Sequence, residues 1–233
     1  MTGPEENSGR KFFVRDLASF IFHFINEINH MNTLTQTQKD NHALVNQRLG
    51  LAADAHLTLS KTIKSIQQQK KNLVFSSDPL ESDVPPVHVS VGSIAEFKKM
   101  VGTPDGSDDS HINYPGAMAD HHRELMSTVS SKQDLLGKMD EHLHDKMQKA
   151  AYAYVMGDSR KVQEYEPLIN SLMFPGRIAV FTGEDLDIPA GEVYTIKGED
   201  PVVFNFEEIT EGKDAEIMIT TNCSLHTQYF TQK

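Results

Sequence analysis

Cysteine is almost absent from this 233-residue chain: Cys223 stands alone, which excludes an internal disulfide framework and any paired-cysteine zinc site. Tryptophan is missing. No apolar run approaches the ~20 residues that a membrane-spanning helix needs. Positive charge is scarce, with 22 Lys+Arg against 33 Asp+Glu and a net charge of −11. An acidic body disfavours the phosphate contacts on which nucleic-acid binding depends, and it disfavours adsorption to anionic lipid. Met1 to Lys11 is polar and lacks the apolar core of a secretory signal, so the chain is expected in the cytoplasm or released without a signal peptide. A Walker loop, G-x-G-x-x-G, G-x-S-x-G and H-E-x-x-H are also missing, and no cofactor is expected.

What is present is unevenly spread. Residues 1–75 carry a balance of +3, whereas 76–175 and 176–233 carry −7 each. The basic front can meet the acidic remainder within one molecule or between molecules. Ten of the eleven histidines lie between His23 and His144. Protonating all eleven would cancel the formal charge between roughly pH 5 and 6.5.

Hydrophobic spacing divides the chain into four parts. In 1–75, Phe12 to Met31 places Phe13, Leu17, Phe20, Ile21, Phe24, Ile28 and Met31 on one helical face. Thr37 to Phe75 then reads as one long helix with Gly50 as its weak spot. Val45, Leu49, Ala52, His56, Leu59, Ile63 and Ile66 alternate spacings of 4 and 3, a coiled-coil-like seam suited to oligomerisation or a partner helix. His42 and His56 sit on that seam, where a polar residue can set register or respond to pH, and His122 holds a similar place later.

Residues 76–115 are a proline-rich connection, interrupted by a short strand at Val87 to Val91 and helical turns at Ser93 to Val101. Residues 116–175 resume helix, with Met118, His122, Leu125, Val129, Leu136, Met139, Leu143 and Met147 in near-heptad spacing, completing the bundle. From Gly176 the period becomes alternating, and strand-like runs start about every ten residues, which indicates an antiparallel sandwich, a small barrel or a short solenoid. The expected fold is therefore α+β: an N-terminal helical bundle with long coiled-coil-like helices, followed by a small all-β unit, sandwich or short solenoid, over 176–233. The last strand, Ser224 to Phe230, is a candidate unprotected edge.

Few motifs carry chemistry. Two E-x-x-H pairs, Glu27 with His30 and Glu141 with His144, have the spacing of carboxylate-bridged metal bundles, but two such pairs are close to what chance supplies. Asp120-His121-His122 resembles the Asp-His-His signature of a phosphoesterase family, yet here it opens a helix, where Asp simply favours the dipole. Cys223 and His226, three apart on one strand, fall on opposite faces. The acidic turns at Asp105–Asp109 and Glu184–Asp187 lack EF-hand spacing.

These observations favour a non-enzymatic interaction or assembly protein whose helical stem oligomerises or binds a protein partner, with the β unit as cap or recognition module. A homo-oligomer without nucleic acid is the expected state. One alternative is a membrane-active, pore-forming toxin-like protein released by acid, the only reading that calls for a membrane. The other is a metal-dependent enzyme built on the E-x-x-H pairs.

Overall fold

Thr37 to Phe75 is not one helix. In a computed structural model, which describes residues 34–128 and 131–233, it becomes α1 (Gln36–Arg48), α2 (Ala55–Gln67) and β1 (Val74–Ser76). The break falls at Gly50, whose φ of +67° suits a residue without Cβ. There Gly50 N–H donates to the Gln47 carbonyl and Leu51 N–H to that of Asn46, the pair of reversed bonds that closes a helix on a left-handed glycine. At the other end Thr35 and Gln38 form a reciprocal capping box. Each helix has 13 residues, about 20 Å in length.

The connection contributes to the sheets. β2 (Val87–Val91) and α3 (Ile94–Val101) are followed by α4 (Asp120–Thr128), α5 (Lys132–Lys138), α6 (Glu141–Met156), a 3-10 helix (Ser159–Tyr165) and α7 (Glu166–Met173). The acidic loop between α3 and α4 is tied down by cations. Lys98 reaches Asp105 at 3.0 Å and also donates to the carbonyls of Tyr154 and Gly157, closing the C-terminus of α6; Lys161 holds Asp109 at 2.6 Å.

Five strands complete the chain: β3 (Gly176–Ile188), β4 (Val193–Lys197), β5 (Val202–Glu211), β6 (Glu216–Ile219) and β7 (Cys223–Gln232). They alternate between two sheets and wind as a parallel coil. One sheet has the order β2-β3-β5-β7, parallel except for β2; the other has β1-β4-β6, all parallel. Val202 lies opposite Ala179 on one side and Cys223 on the other, offsets of 23 and 21 residues per turn of the coil.

Two apolar clusters follow from this winding. Inside the coil, Phe75 meets Phe181, Phe204 and Tyr194 at ring distances of 5.2, 4.9 and 6.0 Å, with Ile196, Ile209 and Leu186 around them. On the outer face of the larger sheet, Ile178, Val180 and Val203 pack with Leu143, Met147, Leu168 and Ile169 of α6 and α7. β3 and β5 are thus buried on both faces, as parallel strands usually are.

The fold expected from sequence is corrected. The molecule is mixed α/β, with seven α-helices and two sheets among the described residues, not a bundle of long helices followed by a separate β unit. The reason is that β1 and β2 join both sheets from the N-terminal side, while α2 lies on β3 and α1 packs on β5 and β7 as well as on α3. The 116–156 helix is divided as well, into α4, α5 and α6. An antiparallel sandwich is excluded because each loop after a strand crosses to the opposite sheet instead of turning back.

Phe75 is fully buried between the two sheets. Phe75→Ala is expected to lower unfolding stability by about 3–5 kcal/mol through transfer and cavity costs. Urea unfolding followed by circular dichroism checks it, with a lowered midpoint and an unchanged slope.

Candidate functional site

A corner runs down the larger sheet beneath α1 and α2. Pairing between β3 and β5 passes from Gly183–Phe206 to Asp185–Glu208, and between β5 and β7 from Phe206–Thr227 to Glu208–Tyr229. Glu184, Glu207 and Gln228 are each skipped, so one gap in the pairing recurs at the same level in three strands. Gly183 allows the close approach there: a Cβ at this position would stand 2.5 Å from the Phe206 ring and 3.0 Å from Ser60 Oγ. The backbone groups released by the gap are taken by helix side chains. Glu184 N–H donates to Ser60 Oγ at 2.7 Å, and Gln38 Nε2 donates to the Gln228 carbonyl at 3.4 Å.

Above the corner, α1 buries polar residues. His42 and Asn46 are its buried side chains, which lie over Thr182 and Asn205 of β3 and β5. Asn46 Oδ1 accepts from Thr182 Oγ1 and from Asn205 Nδ2, both at 2.8 Å. His42 Nε2 lies 3.2 Å from the Asn205 carbonyl, which can only accept, so this nitrogen carries the ring proton. Its Nδ1 then presents a lone pair towards Glu207 Oε1 at 3.5 Å.

Burial decides the protonation of both groups. His42 is 1% exposed, and loss of hydration pushes it down from 6.5 to about 4; the Asn205 carbonyl opposes this and His56 adds to it. Burial also raises Glu207, with Lys39 opposing and Glu184 reinforcing. The His56 ring stands edge-on to His42 at 5.4 Å, and its buried Nδ1 has no hydrogen-bond partner. The arrangement is a clamp between helix and sheet in which a neutral His42 faces Glu207. It holds α1 by polar contacts, and burial makes protonation of His42 unfavourable.

The two ends of the coil differ. At the start, the outer backbone of β1 is satisfied by the following loop: Val74 N–H donates to Asp83 Oδ2, Asp83 N–H to the Val74 carbonyl, and Ser76 N–H to Ser82 Oγ. On the larger sheet, Pro85 and Pro86 precede β2, and the α1–α2 turn flanks it, lining an open groove with Arg48, Leu51, Val87 and Met100. At the finish, β6 and β7 have no further strand beside them among the described residues. On β7 the Tyr229 carbonyl takes the Thr227 hydroxyl at 2.8 Å. Core side chains reach the surface at this end: Ala215, Ile217 and Ile219 pack on the coil interior yet stay partly exposed, and Met218 is 43% exposed.

The residues singled out from sequence are scattered. Leu49 joins the helical cluster with Val45 beside it, while Leu59 and Ile63 enter the coil interior with Ile66 at its margin. The proposed seam is therefore divided between two clusters inside one chain. His42 and His56 are brought together; His122 is buried elsewhere, beside His121 and Asp140. Glu141 and His144 lie on the first turns of α6, whereas Glu27, His30 and the Phe12–Met31 stretch fall outside the described residues. Burial pushes the Cys223 thiol up to about 12, which leaves it protonated at neutral pH. Sequence reasoning missed Asn46, Thr182, Asn205 and Glu207, although three of them share a signal: a polar residue inside an otherwise apolar strand or helix face.

No protein-family model matches the chain, and neither a curated protein nor a solved structure matches it. No described helix is long and apolar enough to cross a membrane.

Because His42 is lowered in the folded state, the unfolded chain binds its proton first as pH falls. The contribution is full above about pH 6.5 and is lost on descending towards 4. Between pH 7.5 and 5 it amounts to about 2 kcal/mol. Raised Glu207 works in the opposite direction, taking up its proton in the folded state as pH falls, and offsets part of the loss. Urea midpoints at the two pH values test this: His42→Gln is expected to lose less stability on acidification than the native chain, and equal losses contradict the clamp.

Proposed function

We propose that the protein is a non-enzymatic assembly module that pairs with a second copy of itself through the last turn of its β coil, beside which no further strand lies among the described residues. The observation that carries the reading is β7. Its ten residues, Cys-Ser-Leu-His-Thr-Gln-Tyr-Phe-Thr-Gln, hold no charged residue and no proline. Soluble proteins guard a long sheet edge with charge, proline, a bulge or a cover, because open N–H and C=O groups template pairing with another chain. β1 has a cover and β2 has adjoining prolines; among the described residues no strand lies on the outer side of β7.

The difference between the ends favours one geometry. A head-to-tail stack would need the start of one coil to receive the finish of another, and that start is closed by β1, its loop and β2. Closed two-fold pairing, finish to finish, remains open and brings β7 antiparallel to its copy. Like charges do not meet within the strand itself. The body charge of −11 still repels between copies, so salt strengthens the association.

Light scattering on size-exclusion fractions tests the reading. The native chain is expected at twice the chain mass, with the dimer favoured by added salt. Tyr229→Lys and Met218→Lys, on the last coil, are expected to give monomers with unchanged circular dichroism. A native chain that stays monomeric at its highest soluble concentration overturns the proposal.

A further inference from the structure

Away from the coil, we propose that His121, His122 and Asp140 form a binding site for one divalent transition-metal ion of the zinc class. Each residue offers one donor atom, and the three donors lie within 4.8 Å of one another; among the described residues this is the one such set. The set joins two elements: the histidines stand in the first turn of α4, and Asp140 caps α6. Two imidazoles and a carboxylate suit zinc, with ligands at about 2.0–2.2 Å and one coordination position left for water.

The polar needs of His122 point to a missing ligand. Its ring is 3% exposed, its Nδ1 is buried without a hydrogen-bond partner, and its Nε2 is 3.4 Å from Asp140 Oδ2, a loose contact. Buried imidazole nitrogens are ordinarily satisfied, and an ion bound at this ring satisfies one of them. Asp140 is already oriented for the task. Its Oδ1 accepts from Leu143 N–H at 2.6 Å, which fixes the carboxylate and leaves Oδ2 turned to His122. His121 stacks on His122 with ring centres 3.9 Å apart.

Movement needed to close the site is small. Donors around a tetrahedral zinc stand about 3.3–3.5 Å apart, so the set contracts by up to about 1.5 Å. His121 is exposed and free to rotate in, while buried His122 and the capping Asp140 stay in place. Two helix N-termini disfavour a cation, and the acidic groups in those same turns, Asp120, Asp140 and Glu141, supply opposing charge.

Zinc chloride titrated calorimetrically into the full chain, and cobalt(II) chloride followed by visible absorption, test the site. One ion per chain and the bands of tetrahedral cobalt are expected. His121→Ala removes an exposed ligand, and Asp140→Asn removes the carboxylate while its amide oxygen keeps the helix cap. Each is expected to weaken zinc at least about tenfold and to abolish the cobalt bands, with circular dichroism unchanged. Absence of saturable binding at one ion per chain overturns the proposal, as does binding that either variant retains at native strength.

Discussion

Backbone hydrogen bonding at the ends of a parallel coil is the constraint on which this structure depends. A coil satisfies its interior strands by stacking, and its terminal strands must find partners elsewhere or face water. Here the first turn is closed by the chain's own preceding segment. Asp83 and Ser82 take the outer groups of β1, and β2 reverses direction to end the larger sheet. The last turn has no further strand beside it among the described residues, and partly exposed core side chains from β6 lie at the same end. This asymmetry is the observation on which the proposed assembly rests.

The helices answer a second need, which is to cover a sheet buried on both faces. α6 and α7 do so with apolar residues, packing on Ile178, Val180 and Val203. α1 does it with His42 and Asn46, which exchange hydrogen bonds with Thr182 and Asn205. An apolar contact would adhere at any pH and in several registers. The polar one fixes the register of α1 and places at the contact a buried imidazole whose protonation costs hydration.

Local features were legible in the sequence, and long-range ones were not. Val87–Val91 is a strand and Ser93 caps the helix that follows, because capping and alternation act over a few residues. Gly50 was visible as a weak spot, but its left-handed turn is fixed by where Leu49 and Leu51 must be buried. The spacing of 4 and 3 from Val45 to Ile66 has the same period whether the stripe meets a helix or a sheet, so it could not name its partner. Turn signals every ten residues mark ends of strands equally well in hairpins and in coils; only pairing such as Val202 with Ala179 and Cys223 distinguishes them. The candidate sites were partly visible. His42, His56 and His122 stood out as polar residues on apolar stripes, whereas Glu207 lies 165 residues from His42 and Asp140 18 from His122. No local pattern reports such distances.

Amide hydrogen exchange of the native chain at two protein concentrations probes the central claim most directly. If β7 pairs with a second copy, its amides are protected at high concentration and exchange faster on dilution, while β3 and β5 stay equally protected. Exchange in β7 that is the same at both concentrations would contradict the account.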